Sequence, residues 1–507
     1  MKRRDFIGAA ALMPFMLNGF KIKSLDKGSS IVKSLRQTMA QHNDRILVII
    51  YLAGGNDGLN TVIPLEYYSE YYNLRSNLAI PESKVLRLDG NPETGLHPAM
   101  TGLQQMYNEG KLAIVHSVSY PNPDLSHYRS TDIWMTGVDA SKYVSSGWAG
   151  RYLDDRFPGY PEKYPNSEMD DPLAVQIGQI STKTLVGNQQ SMSVTLQDPD
   201  SFYKLIGEPG MSEDNNRPCC DAGDLIEYIR LKQVSAVGYS AEIKTAAEAG
   251  KNLATYPDAS AKNELAEQLK IVARLIHGGL KSKVYYVELG GFDTHADQVG
   301  STTLEGNHAI LLKKMSDAIA AFQNDLKLQG TEEKVVGMTF SDFGRRATSN
   351  ASKGTDHGIG APMLVFGKGI KRNVIGTNPN LINGFAPTTG SSRSYDKDIK
   401  MQIDFRRVYS DMLNEWFGSA TSVADKVMYQ NFKTTSLFSE TVQTLASGAW
   451  LNPDVWSCGR VPSSKDIIKV NAGHVIEVGH HIVAKDINIV SGGELKFLGD
   501  YNVNITG

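Results

Sequence analysis

Cysteine is scarce in this 507-residue chain, with only Cys219, Cys220 and Cys458. An odd number, two of them adjacent, gives no disulfide framework, because neighbouring cysteines rarely bond each other without strain. A link from Cys219 or Cys220 to Cys458 stays open. An excess of one charge is also lacking. The net charge is −3, which excludes the basic balance of a nucleic-acid partner or an anionic membrane surface. No apolar run approaches the roughly 20 residues of a membrane-spanning helix. The body of the chain shows no internal repeat. What is left is ordinary globular material, 41% apolar and 21% charged, long enough for two or three domains.

The first residues are more specific. Met1-Lys2-Arg3-Arg4-Asp5-Phe6-Ile7 leads into the modestly apolar Gly8 to Phe20. This resembles a twin-arginine signal, which carries folded proteins out of the bacterial cytoplasm. Residues 1–40 are therefore expected to be signal and linker. The twin-arginine translocase becomes an expected partner, and the periplasm or cell surface the expected location.

Four apolar runs organise the body. Ile46 to Leu52 reads as a strand buried on both faces and ends in Ala53-Gly54-Gly55-Asn56-Asp57-Gly58. Leu112 to Val118 breaks into Ser119-Tyr120-Pro121-Asn122-Pro123. Val284 to Leu289 breaks into Gly290-Gly291-Phe292-Asp293-Thr294-His295. Val335 to Phe340 breaks into Ser341-Asp342-Phe343-Gly344-Arg345-Arg346, with Thr355-Asp356-His357-Gly358 soon after. Leu173 to Ile177 and Met363 to Phe366 are weaker strands, and 221–254, 261–277, 304–326 and 405–416 read as helices. Strand, glycine-rich exit, helix and strand again is the rhythm of an α/β fold, a doubly wound and mostly parallel sheet.

In such sheets ligands sit beyond the carboxyl ends of the strands. Asp57, Ser119 or Ser126-His127, Asp293 with His295, and Asp342 with Asp356 and His357 are thus expected around one crevice. Carboxylates and imidazoles are the ligands of zinc, manganese and related ions. Such ions polarise a phosphoryl or sulfuryl oxygen and activate a hydroxyl nucleophile. Arg345 and Arg346 could clamp the oxyanion with bidentate hydrogen bonds. His308 lies on an apolar helical stripe and His116 inside a strand, so both read as core residues. His97 either caps a helix or lines the crevice.

After about Leu451 the character changes. Val475 to Val478, Ile487 to Ile489 and Leu495 to Phe497 are short alternating runs separated by glycines. They read as a small all-β module over 452–507, either turns of a solenoid or part of a sandwich. His474, His480 and His481 read there as turn residues rather than zinc ligands. Surface attachment or glycan contact is the expected use of such a module.

Several ordered motifs carry a resemblance. GGNDGLNTVIP (54–64), LHPAM (96–100), LSHYRSTDIWMTG (125–137), GWAGRYLD (147–154), GGFDTHADQ (290–298), TFSDFGRR (339–346), GTDHG (354–358) and IDFRRVYSDML (403–413) resemble the DUF1501 family. That is a bacterial family of exported proteins with no assigned activity, and the likeness covers about residues 1–440. The family is in turn similar to the alkaline phosphatase and sulfatase superfamily. That likeness implies an alkaline phosphatase-like domain over 41–440, with Asp57, Asp293, His295, Asp342 and His357 as metal ligands. One or two divalent ions per chain are implied, zinc first, with manganese or calcium as alternatives. Ser119-Tyr120-Pro121-Asn122 resembles the nucleophile segment of related phosphodiesterases, while Ser126 belongs to the motif of the named family. His127 beside it is the implied acid or base. Two departures stand out. Asp293 and His295 are one residue apart instead of three, and Phe343 stands where the superfamily's Asp-His pair has its histidine. The implied function is hydrolysis of small-molecule or glycan phosphate or sulfate esters. The alternative is a non-catalytic exported binding protein on the same fold.

Overall fold

The computed structural model describes residues 44–199, 239–387 and 397–506, apart from 168 and 465, and a short pairing of Met16–Leu17 with Phe20–Lys21. Apart from that pairing, the expected signal and linker lie outside the described residues, as do Cys219, Cys220 and 221–238.

Nine strands build the main sheet: β1 (Ile46–Leu52), β2 (Leu112–Ser119), β3 (Ala174–Ile177), β4 (Ser193–Leu196), β5 (Val284–Leu289), β6 (Val335–Ser341), β7 (Ala361–Phe366), β8 (Val374–Ile375) and β9 (Ile403–Asp404). Their order is β8-β2-β7-β6-β1-β5-β3-β4, with β9 also paired to β2. All pairs are parallel except those of β7, which runs against β6 and β2. The fold is therefore α/β with a mostly parallel sheet. β1 sits in its middle, and every one of its residues is buried. A strand covered on both faces needs no polar alternation, which is why this run reads as continuous apolar sequence. Leu52 is in register with Leu289 of β5 and with Ser341 of β6. Three strand exits therefore fall at one level.

The helices α1 (Thr101–Asn108), α2 (His127–Thr136), α3 (Trp148–Arg156), α4 (Glu264–His277), α5 (Asn307–Leu328) and α6 (Phe405–Ser410) cover the sheet. α4 begins three residues later than its periodicity predicts. The Asn263 side chain accepts from the Ala266 amide at 3.1 Å and so caps the helix there. α6 runs on as a π-helical turn, Asp411–Trp416, where one longer α-helix is expected from sequence. Asp411 turns inward within it and accepts from the Thr435 amide and hydroxyl at 2.8 and 2.6 Å.

His116 and His308 are buried as the sequence predicts, and His308 Nε2 donates to Asn56 Oδ1 at 2.9 Å. Burial pushes both imidazoles down to about 4. The unfolded chain takes up these protons near pH 6.5, whereas the folded chain does so only near 4. The unfolded state therefore binds more protons in that window, and stability falls as pH falls through it. Each histidine is expected to cost about 2 kcal/mol by pH 5. Urea unfolding at pH 7 and pH 5 measures this, with His116→Gln removing part of the slope.

Beyond the body, β10 (Thr441–Gln443), β11 (Gly448–Ala449), β12 (Ile467–Val470), β13 (Val475–Val478), β14 (Ile482–Ala484), β15 (Asp486–Ile489), β16 (Glu494–Phe497) and β17 (Val503–Ile505) form three parallel ladders. These are β10-β12-β15, β11-β13-β16 and β14-β17. Successive turns stack in parallel, as in a solenoid, and the antiparallel pairing of a sandwich is not what forms. The first of these strands starts at Thr441, ahead of Leu451. Ile468, Val470, Ile476, Val478, Ile482 and Ala484 fill the interior. Arg372 of the body pairs with Asp466, and the Gly376 amide donates to the Cys458 carbonyl at 2.9 Å. Cys458 is buried, and its thiol donates to the Arg460 carbonyl at 3.3 Å.

Candidate metal centre

The three level exits deliver different groups. After β1 the chain turns through Gly54, where φ is +119° and an added Cβ would lie 2.4 Å from the Asp293 backbone nitrogen. Only glycine lets the β1 and β5 exits approach this closely. Asp293 and His295 follow β5, Asp342 and Phe343 follow β6, and Asp356 and His357 arrive on the next loop. From the other side α2 begins at His127, so its first side chain points into the same crevice.

Four groups meet there. The Nε2 atoms of His127, His295 and His357 lie 3.5, 3.3 and 3.6 Å from the Asp293 carboxylate oxygens. His295 Nε2 and His357 Nε2 are 2.8 Å apart. Each ring is held through its other nitrogen. His127 Nδ1 donates to Asp342 Oδ2 at 2.6 Å, His295 Nδ1 to Asp356 Oδ1 at 3.1 Å, and His357 Nδ1 to the Leu125 carbonyl at 2.8 Å. A neutral imidazole that donates through Nδ1 presents a lone pair at Nε2. His127 Nε2, His357 Nε2 and an Asp293 oxygen lie within 4.8 Å of one another, and His295 Nε2 stands beside His357, close enough to share a proton with it. Electron-rich atoms this close are held together by a shared proton or by a cation among them. Donors 2.0–2.1 Å from a tetrahedral ion lie roughly 3.3–3.4 Å from one another, close to the separations of each Nε2 from Asp293, whereas His295 and His357 are closer than that. The donor set fits one divalent metal.

The electrostatics agree. Burial opposes ionisation of Asp293, but the hydrogen bond and charge of Arg345, with His127 and His295, outweigh it and hold the carboxyl below its usual range. Burial likewise opposes Asp356, and Asn350, His295 and Arg346 outweigh it in the same direction. Burial lowers His357 despite the Leu125 carbonyl, with Arg345, His127 and His295 adding to the effect. Each shift keeps the ligand form available at neutral pH.

Four expectations change. Asp57 is not at this centre: it is fully buried, and Arg75 Nη1 donates to both its oxygens at 2.8 and 2.6 Å while Gln298 Nε2 donates at 2.6 Å. With its lone pairs so engaged it is a structural ion-pair partner. Asp342 stands behind His127. It is 2% exposed, and its Oδ1 accepts from Tyr51 Oη at 2.8 Å and the Gly54 amide at 3.1 Å, leaving Oδ2 for His127. Arg345 cannot clamp a substrate, because its donors go to Gly55, Gly54, Thr355 and Phe292 carbonyls and to Asp293 Oδ1 at 2.7 Å. It ties three loops together. Ser119 is buried at the end of β2 and laddered to β9, so its hydroxyl has no path to a substrate.

The structure does bring His127, Asp293, His295 and His357 together, with Ser126 at the rim. Ser126 is exposed, precedes α2 and makes no side-chain capping bond. It is pinned there by its neighbours, since the Leu125 carbonyl holds His357 and His127 enters the cluster. Phe343, which takes the place of a histidine in the resemblance, packs on His357 and His127 with ring centroids 4.3 and 4.8 Å away. Sequence reasoning did not find Asp356 as an orienting group, nor Tyr51, which lies inside an apolar strand run and carries no local signal.

Fold and donor set together define an α/β protein with a possible mononuclear His/Asp centre at the carboxyl edge of its sheet. Residues 228–428 match the family model of DUF1501, a protein of unknown function. The resemblance drawn from the motifs is confirmed over that segment, which carries Asp293, His295, Asp342 and His357. No curated protein matches the sequence. Among solved structures, the chain is similar to the PsFucS1 sulfatase from Pseudoalteromonas sp., at 12% identity and TM-score 0.35 over 80% of this chain and 73% of that one. It is also similar to the lipoteichoic acid synthase LtaP from Listeria monocytogenes, at 11% and 0.30 over 66% and 68%. A third is a protein in the alkaline phosphatase superfamily from Vibrio parahaemolyticus, at 11% and 0.28 over 66% and 64%.

Proposed function

We propose that this protein is an exported, metal-dependent hydrolase of phosphate or sulfate esters. One observation carries the reading: His127 Nε2, His357 Nε2 and an Asp293 oxygen lie within 4.8 Å of one another, with His295 Nε2 beside them, while every Nδ1 is held by an acceptor. Imidazole-rich donors suit zinc, whereas manganese and calcium favour oxygen ligands, so zinc is the first choice. A divalent ion there supplies Lewis-acid polarisation of a phosphoryl or sulfuryl oxygen. His127, His295, His357 and Asp293 would hold it, and Asp342, Asp356 and the Leu125 carbonyl fix their orientation.

Ser126 is the proposed nucleophile. It stands at the start of the ten-residue α2, whose free amides favour the anionic oxygens of an ester. Attack by its hydroxyl oxygen forms a seryl ester and expels the alcohol, and water then releases phosphate or sulfate. Export in the folded state, through Arg3-Arg4, allows the ion to be loaded in the cytoplasm.

A second reading has its own observation. If His295 joins His127, Asp293 and His357, four protein donors surround the ion as in closed structural sites, which favours a non-catalytic binding protein. Against it, the four donor side chains remain 23–49% exposed, so one face of the cluster stays open. Ser126→Ala separates the readings. With zinc-loaded protein and a panel of aryl phosphates and sulfates, the variant is expected to keep its metal and lose turnover by roughly a thousandfold or more. Absence of turnover by the loaded wild type across the panel supports the binding-protein reading. Equal turnover by the variant places the nucleophile elsewhere.

A further inference from the structure

A groove runs along the seam between the body and the solenoid. It is lined by Asn91, Glu93 and Thr94 of the strand Asn91–Leu96, by the edge strand β8, and by Arg460, Val461 and Asp466 of the solenoid. It encloses about 1200 Å³, whereas clefts for a drug-sized ligand span about 300–1,000 Å³. A second cleft of about 300 Å³ shares Thr377, Asn378 and Asn380 with it and prolongs it past Gln402. The Arg372–Asp466 pair and the Gly376–Cys458 hydrogen bond hold its two sides together. The space is therefore formed before any ligand arrives. None of its lining residues belongs to the metal centre.

We infer that this groove binds an uncharged saccharide chain of several rings. Charge comes first. Four cations line the groove against five carboxylates. Arg372 and Arg460 both bond Asp466, and Lys371 and Lys485 face Glu440 at 4.0 and 3.5 Å. Glu66, Asp89 and Glu93 have no basic partner among the described residues. A polyanion therefore finds no unpaired cation and meets three free carboxylates. The amides supply the contacts. Asn91 and Asn373 donate through Nδ2 to the Tyr107 hydroxyl and carbonyl at 3.4 and 2.9 Å, which leaves Oδ1 to accept. Asn108 and Asn380 accept through Oδ1 from the Asp89 and Ile382 amides at 3.1 and 2.9 Å, which leaves Nδ2 to donate. Each amide is held at one end and offers the other. Sugar hydroxyls both donate and accept, so they suit such a mixed set. The half-buried Tyr67 adds a flat amphipathic ring on which the apolar face of a sugar can lie. An extended peptide asks for apolar pockets at alternate positions, and Val374, Val461 and Pro453 are the only aliphatic side chains lining this groove.

The test is calorimetric titration of the full chain with hexasaccharides of glucose, mannose, xylose and N-acetylglucosamine, their disaccharides and a sulfated hexasaccharide. At least one neutral hexamer is expected to bind, roughly tenfold or more tighter than its own disaccharide, because more rings fill the groove. Tyr67→Ala combined with Asn108→Ala is expected to weaken that binding by roughly tenfold or more. Tyr67→Phe keeps the ring and is expected to keep the affinity. Unfolding midpoints equal to wild type accompany both results, since Asn108 is exposed and Tyr67 half-buried. Failure of every neutral hexamer to bind overturns the proposal, and tighter binding of the sulfated one does so too. Binding indifferent to the double substitution also overturns it, because the contact then lies elsewhere.

Discussion

Replacing Arg75 by alanine is expected to destabilise the fold by about 3–5 kcal/mol, the range for breaking a buried ion pair from one side. Neither Arg75 nor Asp57 has any exposed surface. Burial works against the Asp57 charge, but Arg75, then His308 and the bond from Gln298, outweigh it and hold the carboxyl below its usual range. Without the guanidinium, that charge would be left in the core with one amide donor. Arg75 also donates through Nε to the Ala347 carbonyl at 2.8 Å and through Nη2 to the Arg346 carbonyl. The substitution therefore loosens the segment leading to Asp356 as well. Chemical denaturation measures the cost, and an Arg75→Ala midpoint equal to wild type would show that the pair holds nothing. Asp57→Asn is the companion variant. It should lose stability in the same direction yet keep its metal, because Asp57 lies outside the donor set.

The second large effect concerns the donors themselves. His357→Ala and Asp293→Ala are each expected to abolish tight metal binding. Asp342→Asn and Asp356→Asn, which disturb only the groups behind the ligands, should weaken it by roughly 10–100-fold. The ordering follows from the geometry. Asp342 touches His127 at 2.6 Å and Asp356 touches His295 at 3.1 Å, so each acts on one imidazole. His357 and Asp293 meet the other donors directly. Competition with a chromophoric chelator gives the affinities. Equal affinities for Asp342→Asn and Asp293→Ala would contradict the placing of Asp342 behind His127.

Much of this architecture is visible in the sequence, for a physical reason. β1 begins and ends where its apolar run does, and β5 spans its expected run, interrupted by the exposed Glu288. Strands buried on both faces write themselves as unbroken apolar stretches, and their exits as glycine and polar residues. Hence the crevice and most of its side chains could be named. What stayed hidden is partnership. Nothing near Asp57 shows that Arg75, at a sequence separation of 18, takes its oxygens. Nothing near Arg345 shows that its donors are spent on loop carbonyls. Asp342 looks like a ligand until β6 is laid beside β1 and Tyr51 is found bonded to it. His127 looks like an acid or base until the rotation of α2 puts its Nε2 beside Asp293. The direction of β7 was equally hidden, because a short apolar run carries no orientation. So was the pairing in the C-terminal module, where alternating strands suit a sandwich or a solenoid alike.

The central claim is that His127, Asp293, His295 and His357 hold one metal ion while Asp57 does not. Elemental analysis of the purified full chain, beside His357→Ala and Asp57→Asn, tests it most directly. The account predicts one tightly held ion per chain, zinc first, lost in His357→Ala and kept in Asp57→Asn. Metal-free wild-type protein after exposure to zinc or manganese would contradict it, as would an ion that survives His357→Ala and disappears in Asp57→Asn.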